Sequence, residues 1–189
     1  MTLSSSDPIR VWRKLAQNNR LANRRLHLAC AALSQTELTA LRVSFFPTVS
    51  ATLNHIMLVD QFYIDALEGG SLGVAVFADQ EPYQTLAALT PVQAALDERL
   101  LQLIVRQTAN TLSAPVHIHR RDRVQAERFD DVLGHLFQHQ THHRGQVHAM
   151  LSGSSVAPPQ LDEFIMGDDA QFRTRDMASL GWTETDLMG

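Results

Sequence analysis

The sequence contains a single cysteine, Cys30, among its 189 residues. An internal disulfide is therefore excluded, and this scarcity of cysteine is typical of a reducing compartment. No apolar run approaches the roughly 20 residues that are needed to span a bilayer. The polar stretch Met1–Asp7 also lacks the apolar segment of a signal peptide. We therefore expect a cytoplasmic chain with no membrane partner.

An excess of basic residues is missing as well. The sequence has 16 Lys and Arg against 20 Asp and Glu, which gives a formal net charge of −4. A nucleic-acid-binding domain normally presents a basic face, so we expect no nucleic-acid partner. Because no internal repeat or Gly/Ser-rich linker divides the chain, its length predicts one domain. We expect this domain to cover residues 1–189, with a core over about 8–153 and a tail over 154–189.

Four long segments carry the signals of helices. Asp7-Pro8 and Thr90-Pro91 are typical of helix starts, whereas Gly69-Gly70 and Gly153 are typical of helix ends. The four predicted helices cover about residues 8–34, 45–68, 91–111 and 129–152.

The remaining segments are predicted to be irregular insertions and a tail. Residues 69–90 form a long connection, and residues 112–127 contain a short extended piece, Val116–His119, followed by a turn. Aromatic residues predict that the tail packs on the body of the protein; they are Phe164, Phe172 and Trp182. Four amphipathic helices without a central strand predict an all-α fold, an antiparallel four-helix bundle.

Histidine is unusually frequent, with nine residues in the chain and five of them between His135 and His148. At 100° per residue, His139 and His143 lean toward the apolar stripe of the fourth helix, whereas His148 points away. The spacing of four residues stacks two imidazoles on one helix face. Two neutral imidazoles in this arrangement can share one metal ion.

His55 is a candidate third ligand. It is the one histidine of the second predicted helix and lies at mid-helix on a largely apolar face. Helical bundles build metal sites from side chains that facing helices project inward. Three histidines would leave at least one coordination position for water or substrate. The alternative is that these histidines are hydrogen-bonded core residues, and the residues alone leave both readings open.

Three stretches of the sequence resemble the DinB/YfiT-like family of metalloenzymes. They are Asn18–Leu26, Leu53–Asp60 and His135–His148, and Pro158-Pro159 also fits the pattern. The resemblance extends over about residues 10–165, and the third stretch is the most specific. One departure is Gln138, where this subgroup often has asparagine.

The resemblance implies a four-helix bundle, commonly a homodimer, with a divalent metal held by His55, His139 and His143. Imidazole ligands are compatible with several ions; Zn or Ni is expected first, with Mn, Fe and Co as alternatives. The superfamily includes thiol-dependent S-transferases and a thiol-dependent isomerase. We therefore expect a metal-dependent transferase or hydrolase that acts on a small-molecule electrophile, with a low-molecular-weight thiol as second substrate.

Four more side chains of the fourth helix are candidates for contacts with the ligands or the substrate. They are His135, His142, Arg144 and Gln146. Gln140 interrupts the apolar stripe and must find a hydrogen-bond partner if it is buried.

Two alternatives belong to other functional classes. One is a metal-binding protein without catalysis, such as a stress-related binder, and the other is a structural helical dimer. A face of small residues on the fourth helix would permit close approach of another helix, either within the bundle or across a dimer. Its members are Gly134, Thr141, Gly145, Ala149 and Ser152.

Overall fold

The computed structural model describes residues 7–189, so Met1–Ser6 of the polar N-terminal stretch lie outside the described residues. Helices dominate the described chain, and one β-hairpin interrupts them. The helices in chain order are α1 (Arg10–Cys30), α2 (Gln35–Leu38), α3 (Val49–Leu67), α4 (Leu86–Val105), α5 (Ala109–Leu112), α6 (Phe129–Leu151), α7 (Ala170–Leu180) and α8 (Glu184–Met188). The hairpin consists of β1 (Pro115–His119) and β2 (Val124–Arg128), and short 3-10 helices cover Gly73–Phe77 and Gly167–Asp169.

Four long helices surround the main core, and each contacts two of the others. Helix α1 packs against α4 and α6, and α3 packs against the same two helices. Their buried faces are built mainly from leucine, isoleucine, valine and phenylalanine. This mostly helical structure agrees with the expected all-α class, and the antiparallel four-helix bundle stays a prediction.

The limits of α3 and α6 lie close to the predicted ones. Helix α6 covers Phe129–Leu151, within one residue of the prediction at its C-terminal end. Helix α3 begins at Val49 rather than Phe45, because the side chain of Thr48 accepts a hydrogen bond from the Ala51 N–H at 2.9 Å and caps the helix there.

The first and third predicted helices had wrong limits. Helix α1 stops at Cys30, before the predicted end at Ser34, because Ser34 caps α2 in a reciprocal arrangement with Glu37. Helix α4 starts at Leu86, where Thr85 is the N-cap, so Pro91 lies inside the helix and does not begin it. A proline so near the N-terminus removes only one helical hydrogen bond, which the packed face of α4 tolerates.

The predicted extended piece is confirmed, and it has a partner strand that was not predicted. Val116 pairs with Glu127 and Ile118 pairs with Gln125 in an antiparallel hairpin. The predicted turn falls between the strands, where the Arg120 N–H donates to the Arg123 carbonyl at 2.9 Å. Val116 and Ile118 are buried against the main core, so one face of β1 is packed.

The tail packs on α1, as predicted from its aromatic residues, with one exception. Phe164 is fully buried among Leu21, Ala22, Met177 and Leu187, and Trp182 packs beside them. The prediction for Phe172 was wrong, since 56% of its surface is exposed. Phe172 lies on the exposed face of helix α7, whose buried residues are Arg173, Asp176 and Met177.

Cys30 lies in the main core at the end of α1 and is a free thiol. Burial raises the pKa of this thiol to about 12. In the part of the chain that the structure describes, no helix combines the length and apolar character needed to cross a membrane.

Candidate metal site

Helices α3 and α6 bring three histidines together. His55 lies in the first half of α3, and His139 and His143 lie one turn apart on α6, which packs directly against α3. Because both helices bury their apolar faces in the same core, these side chains project into the space between them. The sequence-based grouping of His55, His139 and His143 therefore corresponds to one cluster in the structure.

The cluster is close to the size that a single metal ion requires. One ring nitrogen from each histidine lies within 4.8 Å of the others. The Nε2 atoms of His55 and His139 are 3.0 Å apart. Two imidazole nitrogens bound to one ion by bonds of about 2.0–2.1 Å lie at most about 4.2 Å apart. The three histidines could thus hold a metal ion with small side-chain adjustments.

The hydrogen bond between His143 and Gln146 favours a lone pair of His143 directed into the cluster. His143 Nδ1 donates to Gln146 Oε1 at 2.7 Å, because an amide oxygen can only accept. This bond places the proton of the neutral ring on Nδ1 and leaves a lone pair on Nε2. His139 Nδ1 is buried with no hydrogen-bond partner in residues 7–189. An ordered water would satisfy this nitrogen, whereas an ion held through Nε2, the atom that faces His55, would not.

Burial and mutual repulsion keep these imidazoles neutral. Burial lowers the pKa of His55 to about 4, with a further contribution from His143. Burial and the neighbouring histidines lower the pKa of His139 to about 3. Burial also lowers the pKa of His143, although the hydrogen bond to Gln146 opposes that shift. Neutral imidazole is the form that binds a metal, so protons compete weakly for this site near pH 7.

An aromatic ring from the segment before α3 covers the cluster. The Phe46 ring centroid lies 4.2 Å from that of His55 and 5.6 Å from that of His143. Three neighbours of Phe46 on the same segment leave their apolar side chains largely exposed; they are Leu41, Val43 and Phe45. Phe46 thus shields one side of the cluster from solvent. Sequence reasoning missed it, although the Phe45-Phe46 pair directly before Pro47 was a visible signal.

The other candidate side chains of α6 fall into three places. Gln146 Nε2 contacts His142 Nε2 at 3.2 Å, which links His142 and Gln146 to His143. The His135 ring packs edge-on against Tyr63, with centroids 5.0 Å apart, and its centroid lies 6.3 Å from that of His139. Arg144 is buried and points away from the histidines into a second polar cluster.

This second cluster, the buried polar network, connects all four long helices. Arg144 donates to Asn19 and Asn23 of α1, and the amide groups of both asparagines donate to Asp97 of α4. Gln93 donates to Asp60 at 2.7 Å and to Asp97 at 3.2 Å, and Gln140 donates to Asp60. Gln140 therefore has the partner that its position on the apolar stripe required.

The buried polar network gives a structural role to polar residues of the first two stretches that resemble the family. Asn19, Asn23 and Asp60 belong to the first two stretches that resemble the family, and they meet here. Sequence reasoning missed Gln93 and Asp97. Their spacing of four residues among the leucines of α4 was the available signal, since it places both on one helix face.

Comparison with known proteins gives the family of the chain. Protein DinB of Bacillus subtilis (strain 168) is 29% identical over 123 residues, which cover 63% of this chain and 72% of that protein. The model of the DinB family matches residues 4–175, a span that includes all four long helices and the three histidines. A match over most of the chain identifies its membership: the protein belongs to the DinB family.

Proposed function

We propose that this protein is a divalent-metal-dependent enzyme of the thiol-dependent S-transferase type. The single observation that supports the proposal most is the convergence of His55, His139 and His143 from two packed helices. Three protein ligands are typical of reactive metal sites, because they leave a coordination position for water or substrate. We assign the ligand role to these three histidines.

The donor set narrows the choice of metal. All three donors are imidazole nitrogens, which suit Zn²⁺ and Ni²⁺ and also bind Mn²⁺, Fe²⁺ and Co²⁺. No thiolate joins them, because Cys30 lies in the core at the end of α1. We propose Zn²⁺ or Ni²⁺ as the resident ion.

The proposed reaction joins a low-molecular-weight thiol to a small electrophile. A bound divalent ion would supply Lewis acidity that lowers the pKa of a thiol in the open position. The new bond forms between sulfur and the electrophilic carbon, the bond to the leaving group breaks, and the thiol proton passes to solvent. In this scheme Gln146 holds the tautomer of His143, and Phe46 excludes water from one side. Such thiols are abundant in the reducing cytoplasm, where we place the protein.

Metal analysis tests the ligand assignment. Untagged wild-type protein should contain about one equivalent of a transition metal by plasma mass spectrometry, and His55→Ala should lose it. The matched control is His148→Ala, which removes a histidine of α6 that lies outside the cluster and should keep the metal. Wild-type protein that holds no metal and takes up none on addition would refute the metal site.

Turnover separates the enzyme from a non-catalytic metal-binding protein. Metal-loaded protein should accelerate the loss of monobromobimane in the presence of cysteine or glutathione, and His55→Ala should not. A metal-loaded protein that is inactive across a panel of thiols and electrophiles would favour the alternative, a metal-binding or stress-related module.

We also propose a homodimer, built on the small-residue face of α6. Thr141, Gly145, Ala149 and Ser152 are all exposed, and nothing in the described chain approaches the side-chain position of Gly145 within 4 Å. The fifth member, Gly134, is half-buried beside Trp12, and the tail lies near Thr141 and Gly145, so the C-terminal part of this face is the part open to a second copy. Analytical ultracentrifugation should show a dimer at micromolar concentration and a monomer for Gly145→Arg, and a monomeric wild type would contradict the proposal.

A further inference from the structure

A cavity of about 260 Å³ lies between α1 and α4, away from the histidine cluster. The surface that faces the cavity is mostly apolar, although seven of the ten lining residues are polar or charged; the three apolar ones are Leu28 of α1, Ala94 of α4 and Leu180 of α7. Arg20 and Arg24 also line it. For comparison, an apolar cavity of about 150 Å³ is large enough to bind benzene. The cavity is therefore large enough for a benzene-sized apolar group that carries one small substituent.

One carboxylate of the buried polar network lines this apolar cavity. Asp97 is only 3% exposed, and three donors contact its Oδ1 atom: Asn19 at 3.1 Å, Asn23 at 2.8 Å and Gln93 at 3.2 Å. Its Oδ2 atom accepts no hydrogen bond from residues 7–189. This oxygen is not one of the fully enclosed side-chain atoms that lack a partner, so a ligand can reach it. A carboxylate oxygen that is largely removed from water and has no protein donor favours a ligand that donates a charge-assisted hydrogen bond to it.

The charges around the cavity favour a cation at Asp97. The network holds two carboxylates, Asp60 and Asp97, but one guanidinium, that of Arg144. His27, which also lines the cavity, is neutral because burial lowers its pKa to about 4. Ionisation of both carboxylates therefore leaves one negative charge without a counterion.

The two arginines that line the cavity already have acidic partners. Arg20 pairs with Glu98 at 2.9 Å, and Arg24 pairs with Asp176 at 3.0 Å. Their repulsion of an incoming cation is reduced accordingly. Asp97 is the acidic residue of the cavity lining, so its charge is the one that attracts a cation there, although Arg144 offsets part of it.

We propose that the α1–α4 cavity binds a small primary amine, with its apolar body between Leu28, Ala94 and Leu180 and its ammonium group donating to Asp97 Oδ2. The matching ligands are compact aryl- or alkylamines of about seven or eight non-hydrogen atoms. This site is independent of the metal site, because its residues belong to α1, α4 and α7 and include no residue of the histidine cluster.

Benzylamine and benzyl alcohol form the matched probes, since they share a body and differ in the charged donor. We expect isothermal titration calorimetry at pH 8 to show benzylamine binding at least about tenfold more tightly than benzyl alcohol, the factor that loss of a charge-assisted hydrogen bond implies. At this pH Asp97 is ionised, although burial raises its pKa to about 6. His55→Ala should bind benzylamine like the wild type, so failure of the metal proposal would not affect this result.

Two substitutions test the position of the site. Asp97→Asn should remove the preference for the amine, and Leu28→Trp should block the cavity and abolish binding of both probes. Val11→Trp is the matched control, because Val11 is also exposed on α1 but does not line the cavity. If Asp97→Asn does not fold, the proposal is tested by Leu28→Trp and by the ratio of the wild-type affinities for benzylamine and benzyl alcohol.

Three results would overturn the proposal. Equal affinity for benzylamine and benzyl alcohol would show that the carboxylate recognises no cation. No binding of benzylamine at millimolar concentration would show that the cavity is merely hydrated. Unchanged binding in Leu28→Trp would place the amine elsewhere.

Discussion

A single hydrogen bond, from His143 Nδ1 to Gln146, determines which nitrogen of His143 is free for a metal. Partners of this kind orient metal-binding imidazoles and raise their basicity, and their loss typically costs 10–100-fold in affinity. We expect Gln146→Ala to weaken Zn²⁺ binding by about tenfold or more in a competition titration with a chromophoric chelator. Gln138→Ala, an exposed position on the same helix, is the control. Equal affinities for the two variants would rule out this role for Gln146.

A second prediction at this scale concerns His27, which is buried on α1 and hydrogen-bonded to Thr90 at 2.9 Å. Burial lowers its pKa from the usual 6.5 to about 4, so protons bind more tightly to the unfolded chain. The stability contribution of neutral His27 is complete above pH 6.5 and is lost as the pH falls toward 4. The loss amounts to about 3 kcal/mol at pH 4, from about 1.4 kcal/mol per pH unit.

Urea unfolding at pH 7, 6, 5 and 4 checks this prediction. His27→Gln should lose less free energy of unfolding than the wild type between pH 6.5 and 4, because glutamine does not titrate. Parallel pH profiles for the two proteins would mean that His27 is not responsible. The profile of the variant is needed as a reference because two carboxyl groups titrate in the same range. Burial raises the pKa of Asp60 to about 7 and that of Asp97 to about 6, so their protonation increases the free energy of unfolding as the pH falls.

Among the elements, α6 contributes to two clusters on different faces. His139 and His143 face α3, whereas the next residue, Arg144, reaches α1 through Asn19 and Asn23. Removal of one partner from a buried ionic network leaves the other charges unpaired, at a typical cost of 3–5 kcal/mol. We expect Arg144→Met to lower the free energy of unfolding by about that amount.

Arg175→Met is the matched control for Arg144→Met, since Arg175 is an exposed arginine of α7. Its substitution should change the free energy of unfolding by less than about 0.5 kcal/mol. Similar values for the two variants in urea unfolding would show that the network contributes no more than a surface charge.

The elements also show how far the sequence could predict this structure. Helical periodicity was sufficient for α6 and for placing His139 and His143 on one face, because those positions follow from rotation along a single helix. It offered His55 only as a candidate, because its meeting with the other two depends on the packing of α3 against α6, which the family resemblance implied. It was insufficient for α4, where Thr90-Pro91 has the appearance of a helix start but tertiary packing continues the helix back to Thr85. The partners of Arg144 could not be predicted, since they depend on the contact between α1 and α6.

For the whole molecule, the tail is a structural part of the fold. Arg25 pairs with both Glu163 and Asp176 at 2.6 Å, and the fully buried Arg173 donates to Glu184 at 2.6 Å. Phe164 fills the space between the tail and α1, and the Arg25 guanidinium lies 4.4 Å from its ring centre. Contacts of this density predict that the tail and the helical core unfold together.

Two phenylalanines of the tail provide a direct test of this coupling. Phe164→Ala should lower the free energy of unfolding by about 3–5 kcal/mol, the usual cost of truncating a buried phenylalanine. Phe172→Ala should change it little, because Phe172 is mostly exposed. A small effect of Phe164→Ala, or an early separate transition of the tail in circular dichroism, would contradict a single cooperative unit.

Because Cys30 is buried in the main core, its alkylation reports opening of the folded protein. With a pKa of about 12 and no access to solvent, the thiol stays unreactive toward alkylating reagents while the core is closed. Each alkylated molecule seen by intact mass therefore records one excursion to an open state. Electrophiles that are added as substrates should therefore leave Cys30 unalkylated in the folded protein. An intact-mass spectrum recorded after such a reaction then also reports how often the core has opened.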